Sequence, residues 1–177
     1  SETLENLSSL YKIKLDEKRS KLDIDCIAKK GVTRYETEAS VDVIITLPAD
    51  YTSHCEIDAS TKVLRIENLG LDRLEYDGDA QQVFIRDVSG SVELTGKTDY
   101  DITLEGACTK LDVNQFCANA IVHIDDPAAY KAENNGRKCS VVYRRNGAVC
   151  EEPLCTEGER VISVSGIRSE MVIDCGV

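Results

Sequence analysis

Apolar and polar residues alternate along most of the chain, and the alternation recurs at a nearly constant interval. In Leu74-Glu75-Tyr76, for example, two apolar residues flank a charged one, and this period of two is typical of a β-strand with one buried face. When the segments are aligned at 19 residues, the apolar positions fall into four columns. The columns are Leu64, Val83, Ile102 and Ile121; Ile66, Ile85, Leu104 and His123; Cys55, Leu74, Val92 and Leu111, with one 18-residue step at Val92; and Ile57, Tyr76, Leu94 and Val113.

A repeat of this size predicts the fold. Each unit holds two short strands that cannot bury their apolar face alone, so successive units must stack. Gly78, Gly90, Gly96 and Gly106 separate the strands and suit tight corners. We therefore predict an all-β fold, a parallel β-solenoid with two short strands in each 19-residue turn and equivalent residues about 4.8 Å apart. The outward positions show no repeated Thr, Asp or aromatic residue.

The segments before the repeat are less regular. Residues 1–20 fit either an N-terminal arm or a short helix, because Leu4, Leu7 and Leu10 have helical spacing whereas residues 12–15 alternate like a strand. We expect residues 21–177 to form a single β-solenoid domain. Residues 22–27, and then 35–40 and 41–47, are its first predicted strands.

After Ile124 the pattern loosens. Residues 130–132 lie 19 positions after residues 111–113 and are expected to continue their column. Asn146-Gly147 between alternating residues is a strong hairpin signal and predicts a hairpin over residues 141–149. Residues 161–164 and 171–173 are the last predicted strands and are expected to finish the stack.

Eight cysteines favour an oxidising compartment. The predicted Asn-Gly turn brings Cys139 opposite Cys155, so we predict a disulfide between them that ties the C-terminal hairpin region. Cys117 is expected to bond a cysteine of the later segment, and Cys26 and Cys175 are candidates for staples at the ends. The disulfide candidates are Cys139, Cys155, Cys117, Cys150, Cys26 and Cys175.

Composition narrows the classes of partner. The net charge of −11 disfavours nucleic acid and anionic membrane surfaces, which need clustered Lys and Arg. The longest apolar runs are far shorter than a membrane span, so we expect no membrane insertion of this segment. The chain starts at Ser1 without a basic and apolar leader, so we expect any signal or anchor to have been removed or never to have been present.

The residues that could carry chemistry favour structural roles. His54 and Cys55 are neighbours on a strand, so their side chains point to opposite faces and do not form a catalytic dyad. His123 lies in an apolar column; a register shift of one residue would turn it to solvent and bring Val122 and Ile124 inward. Paired aspartates are interpreted as solvated surface, and we expect no catalytic residue, metal ligand or cofactor. The aspartate pairs are Asp23/Asp25, Asp77/Asp79 and Asp99/Asp101.

Residues 41–51, with a Leu47-Pro48 corner, the strand–turn unit over residues 83–94 and the exit over residues 162–166 together resemble the bacterial adhesin-like β-solenoid family, a family of domains of unknown function. The resemblance covers residues 41–173. It implies an extracellular or cell-envelope location and a role in adhesion, and it brings no catalytic motif.

These observations predict a noncatalytic, adhesin-like binding module that presents flat outer faces to a protein or glycan on a surface. The alternative is a structural subunit that assembles end to end into a surface fibre. Open strand edges at the two ends of the stack, together with the N-terminal arm, would mediate that self-association.

Overall fold

The computed structural model describes residues 11–18, 21–29, 44–48 and 50–176. These residues form fifteen strands and a single-turn 3-10 helix at Pro127–Ala129. Among them, no helix is long and apolar enough to cross a membrane. The strands are β1 (Tyr11–Lys18), β2 (Lys21–Ala28), β3 (His54–Asp58), β4 (Thr61–Glu67), β5 (Gly70–Asp77), β6 (Ala80–Arg86), β7 (Ser89–Gly96), β8 (Tyr100–Glu105), β9 (Cys108–Gln115), β10 (Ala120–Ile124), β11 (Tyr130–Asn134), β12 (Ser140–Arg145), β13 (Ala148–Cys150), β14 (Arg160–Val164) and β15 (Glu170–Cys175).

The protein is all-β, and its strands form two mostly parallel sheets. The eight-stranded sheet has the order β1-β2-β3-β5-β7-β9-β14-β11, and the seven-stranded sheet has the order β13-β12-β15-β10-β8-β6-β4. Between β3 and β10 the chain changes sheet at every connection, so alternate strands stack in parallel on the same side. Antiparallel pairing occurs in β1–β2 and in β12–β13.

The inward faces of both sheets supply one continuous core. On the eight-stranded sheet, Cys55 pairs in register with Leu74, and the column continues through Val92 and Leu111 as predicted. The neighbouring column of Ile57, Tyr76, Leu94 and Val113 is also confirmed. Each fully buried large apolar side chain contributes roughly 1.5–3 kcal/mol, so these columns are the main stabilising feature of the fold.

The columns of the seven-stranded sheet differ from the prediction at β10. Ile102 pairs with Val122 and Leu104 with Ile124, whereas His123 pairs with Thr103 on the outer face. The connection from β9 to β10 is one residue longer than that from β7 to β8, which shifts the alternation by one residue. The predicted inward position of Ile121 and His123 is therefore wrong, and the alternative register is the one formed.

The last strands in sequence do not finish the stack. β14 lies between β9 and β11, and β15 lies between β10 and β12, with every one of these pairings parallel. Residues 130–132 consequently contact β14 rather than the column of Leu111. The connection after β14 packs tightly against the end of β9. A Cβ atom on Gly166 would lie 1.8 Å from the carbonyl oxygen of Gln115, so only glycine is accommodated there.

The hairpin prediction is confirmed. β12 and β13 pair antiparallel around Asn146 and Gly147, whose φ angles of 51° and 77° are those of a tight hairpin turn. Upstream, the predicted strand over residues 41–47 is not formed where it is described, since residues 44–48 have no regular structure. Residues 41–43 and the predicted strand over residues 35–40 lie outside the described residues, as does the proposed helix over residues 4–10, whereas residues 12–15 belong to β1.

We expect Val122→Ala to lower the free energy of unfolding by about 2–3 kcal/mol, because Val122 is fully buried and its truncation leaves a cavity. Ile121→Ala removes more carbon atoms, but it removes them from the outer face. It should therefore lower the free energy of unfolding by less than Val122→Ala does. Urea unfolding of both variants measures the difference. A larger loss for Ile121→Ala would show that the register at β10 is the one suggested by the simple 19-residue repeat.

Candidate functional site

A column of carboxylates crosses the outer face of the eight-stranded sheet. Parallel in-register pairing aligns the middle outward residue of each strand, so equivalent side chains become neighbours. From one edge of the sheet to the other, the column is Asp16, Asp23, Glu56, Glu75, Glu93, Asp112, Ser163 and Glu133. Seven of its eight members are acidic, and Ser163 is the exception.

A second column beside it carries the compensating cations. From β2 to β11 it consists of Lys21, His54, Arg73, Ser91, Lys110, Val161 and Lys131. Arg73 joins two rungs, since its Nε lies 2.8 Å from a Glu75 oxygen and its Nη2 lies 2.6 Å from a Glu93 oxygen. Lys131 lies 2.8 Å from Glu133 on its own strand. The ion pairs offset part of the repulsion between the carboxylates of this face.

Two of the ion-paired residues at the ends of this face have a shifted pKa. Hydrogen bonds from Lys21 to Glu56, and then to Asp23, raise the pKa of the lysine ammonium. A hydrogen bond from Lys131 lowers the pKa of Glu133. At the end of β3 the balance is reversed: burial, followed by the charges of Asp77 and Asp25, raises the pKa of Asp58.

A shallow depression of about 330 Å³ lies where Ser91 interrupts the cation column. Its charged rim is formed by Arg73 and Lys110 on one side and by Glu93 and Asp112 on the other. Two cations and two carboxylates balance, so the depression carries no net charge. Hydrogen-bond donors, from Arg73 and Lys110, and acceptors, from Glu93 and Asp112, therefore lie close together within a small area.

Two polar atoms beside this depression are buried without a hydrogen-bond partner in the described structure: Oδ1 of Asp112 and Oγ of Ser163. The two residues pair in register on β9 and β14, and Ser163 is fully buried. A buried polar atom without a partner costs about 1–3 kcal/mol.

A possible metal-ligand group lies nearer β2. One ligand atom each from His54, Glu56 and Glu75 lies within 4.8 Å of the other two. Histidine nitrogen and carboxylate oxygen would suit Zn²⁺. However, Lys21 contacts Glu56 and Arg73 contacts Glu75, so a metal ion would have to displace both cations. We assign this group to the ion-pair network.

His123, the other histidine, lies on the outer face of the seven-stranded sheet. Its Nε2 is 3.0 Å from Asp101 and its Nδ1 is 3.7 Å from Asp174. The two carboxylates hold the imidazole from opposite sides. His54 and Cys55 face opposite sides of β3, as predicted, since His54 contacts Glu75 on the outer face whereas Cys55 is buried in the core.

All seven cysteines whose side chains are described are free thiols. The predicted Cys139–Cys155 bridge is therefore not formed: Cys139 Sγ lies 3.3 Å from the carbonyl oxygen of Gly166, while the thiol of Cys155 is hydrogen-bonded to that of Cys175. Nor do Cys117 and Cys150 form a bridge. The side chain of Cys26 lies outside the described residues. Burial raises the pKa of Cys55 and of Cys108 to about 11 and that of Cys155 to about 12.

Sequence reasoning overlooked the carboxylate column, although a signal was present. Glu56, Glu75, Glu93 and Asp112 each occupy the position between two apolar columns, and they recur at the same steps as those columns. Three successive members are glutamate and the next is Asp112, so what repeats along the whole column is the negative charge and not one residue type. Ser163 could not be assigned to it, because nothing in the sequence shows that β14 inserts beside β9.

Comparison of the chain with protein-family models, with curated proteins and with solved structures finds no match.

We expect Cys117 to be the first of the described thiols to react with a disulfide reagent at pH 8, because it is exposed whereas Cys55, Cys108 and Cys155 are buried and their raised pKa values keep them protonated. Stopped-flow absorbance of the released thiolate measures the phases. Cys117→Ser should remove the fastest phase, and Cys108→Ser should leave it intact. A fast phase that survives in Cys117→Ser would contradict this placement.

Proposed function

We propose that this chain is a noncatalytic, adhesin-like binding module, built as a β-solenoid, that recognises a neutral glycan on the outer face of its eight-stranded sheet. The observation that carries the proposal is the depression beside Ser91, where two cations and two carboxylates with balanced charge line a small concave area. An extracellular or cell-envelope location, with a glycan-bearing surface as the partner, belongs to the same proposal.

The chemistry of the depression supports a polyhydroxylated ligand. Glu93 and Asp112 can accept hydrogen bonds from sugar hydroxyls, while Arg73 and Lys110 can donate to them. Charge-assisted hydrogen bonds are stronger than neutral ones. Since the four charges cancel, a neutral ligand makes these bonds without carrying an unpaired charge into the site.

The state of the cysteines supports a noncatalytic role. A nucleophilic cysteine needs a lowered pKa or an adjacent base, whereas burial raises the pKa of Cys55 and of Cys108 to about 11. The carboxylates of the face are paired with cations along its length. At Glu133 the hydrogen bond from Lys131 lowers the pKa of the carboxyl and leaves it a poor proton donor.

The scaffold supports the same role. Sites on rigid strands hold their geometry better than sites on loops, and the depression spans the pairing of β5, β7 and β9. Opposite these residues, the inward positions of the same strands are fully buried, as Leu74, Val92 and Leu111 show. The strands therefore hold the side chains of the outer face in place without a bound ligand.

We expect the full chain to bind at least one neutral oligosaccharide on a glycan array, and Glu93→Gln or Asp112→Asn to weaken that binding about tenfold, the equivalent of roughly 1.4 kcal/mol for one charge-assisted hydrogen bond. Isothermal titration with the oligosaccharide selected on the array measures the change.

Glu105→Gln is the matched control. Glu105 accepts a 2.6 Å ion pair from Arg86 on the seven-stranded sheet, as Glu93 does from Arg73 on the eight-stranded sheet. This control should leave glycan affinity unchanged. No neutral glycan bound on the array, or an equal loss in Glu105→Gln, would refute the proposal.

A second function, the subunit of a surface fibre, has an observation of its own. Among the described strands, β1 and β11 are the edges of the eight-stranded sheet and β13 and β4 the edges of the seven-stranded sheet, each paired on one side only. Unpaired edges are templates for further strands. The N-terminal strand β1 pairs through its full length with β2, so only its outer edge is open to a neighbouring chain.

Sedimentation velocity of the full chain and of a variant lacking residues 1–20 separates the two functions. We expect both to sediment as monomers at every concentration, because the binding module needs no neighbour. Concentration-dependent larger species that disappear on deletion would instead establish the fibre subunit and assign the joint to β1.

A further inference from the structure

A cationic corner lies at the far end of the stack from β1, and it is independent of the depression beside Ser91. Six residues line a concavity of about 250 Å³ there. We refer to them as the basic corner: Phe116, Cys117, Arg137, Lys138, Ile167 and Arg168.

Three neighbouring connections build this corner. Phe116 follows β9, Ile167 follows β14 and Arg137 follows β11, and isolated bridges place Ile167 between the other two. The backbone is tied together, since the Cys117 N–H donates to the Ile167 carbonyl at 2.9 Å and the Arg168 N–H donates to the Arg137 carbonyl at 3.0 Å. The corner exists only because β14 and β15 insert between the strands that precede them.

The charge of the basic corner is not compensated. Arg137, Lys138 and Arg168 are all exposed and take part in none of the ion pairs found among the described residues. In a chain with a net charge of −11, three adjacent cations without a carboxylate are unusual. An anion placed between them would gain charge-assisted hydrogen bonds without breaking existing ones.

Two of these cations have a backbone conformation that is unfavourable for their residue type. Lys138 and Arg168 have φ angles of 60° and 55°, in the left-handed region where asparagine, aspartate and glycine are favoured. At other connections the left-handed positions are occupied by such residues, Asn68 and Asp87. Long cationic side chains therefore stand at this corner despite their backbone preference.

An apolar surface accompanies the charge. The ring of Phe116 is 54% exposed and Ile167 is 38% exposed. Together with the cations, they suit a ligand that has both an anionic group and a flat apolar face. A sugar ring with a carboxylate or sulfate group has this combination. The six lining residues are far fewer than the roughly 20–30 a side of a stable protein interface, which favours a small ligand group over a folded partner.

We propose that the basic corner binds an acidic sugar, whose carboxylate or sulfate is held by Arg137, Lys138 and Arg168 while its ring packs on Phe116. The site is separate from the neutral-glycan depression. Binding of an acidic sugar at the basic corner can therefore be confirmed or refuted independently of the neutral-glycan proposal.

Isothermal titration of the full chain with a galacturonic acid tetramer, and with the same tetramer as its methyl ester, tests the charge requirement. We expect binding of the acid, weaker binding at high salt, and no binding of the neutral ester. A sulfated keratan tetramer, which carries sulfate but no carboxylate, distinguishes the two groups as the preferred anion. Equal affinity for acid and ester would overturn the proposal, as would no binding of either acidic tetramer.

Lys138→Asn and Arg168→Asn remove the cations while keeping a residue that accepts the left-handed conformation, so both variants should fold. Each is expected to weaken binding of the preferred acidic tetramer about tenfold. The matched control, Lys62→Asn, makes the same change at an exposed position on β4 in the other sheet and should leave affinity unchanged. If Lys62→Asn weakens binding equally, the effect comes from the overall charge of the protein, and the assignment of the site to the basic corner is wrong.

Phe116→Ser tests the ring contact, with Val149→Ser as its control because Val149 is also an exposed apolar residue, on β13. We expect weaker binding in the first variant alone. Two results would assign the corner to another occupant: a tetraglutamate peptide that binds as tightly as the acidic tetramer, or light scattering that shows association of the chain abolished by Lys138→Asn. Either would overturn the assignment to a sugar.

Discussion

Parallel, in-register pairing is the constraint on which the rest of this structure depends. It places every side chain about 4.8 Å from its equivalents on the two neighbouring strands, so one residue cannot be considered without its column. Inside, this favours stacked apolar residues. Outside, it would set carboxylate against carboxylate along the whole eight-stranded sheet. The cation column reduces the repulsion between these carboxylates, because Arg73 contacts both Glu75 and Glu93.

Exposed ion pairs contribute little singly, about 0–1 kcal/mol each, but here they share partners. Loss of one cation leaves two acidic neighbours facing each other across a single strand spacing. The same reasoning explains where the surface is available for recognition. Ser91 and Ser163 break the cation and carboxylate columns respectively, and the depression lies at the first of these breaks. The proposed glycan site is the depression at the break beside Ser91.

Much of the fold could be predicted from sequence because the signals are local or periodic. The columns of Leu74 and Tyr76 follow from alternation and constant spacing, and the Asn146-Gly147 turn follows from backbone preference. The register at His123 could not be chosen, because one extra residue in a connection decides it. The position of β14 depends on long-range pairing with β9, which leaves no trace in residue spacing. The basic corner was missed for the same reason, since Phe116, Arg137 and Ile167 are distant in sequence.

The insertion of β14 and β15 has a consequence for biosynthesis. A chain is made from its N-terminus, and nascent segments begin to fold as they emerge. β9 and β10 leave the ribosome well before the strands that cover them, whereas β11 and β12 appear first and have no place to pack. During that interval β9 and β10 lack the neighbouring strands that carry the buried Ile162 and Ile173. Completion of the core therefore follows synthesis of β14 and β15 and is later than synthesis of the repeat.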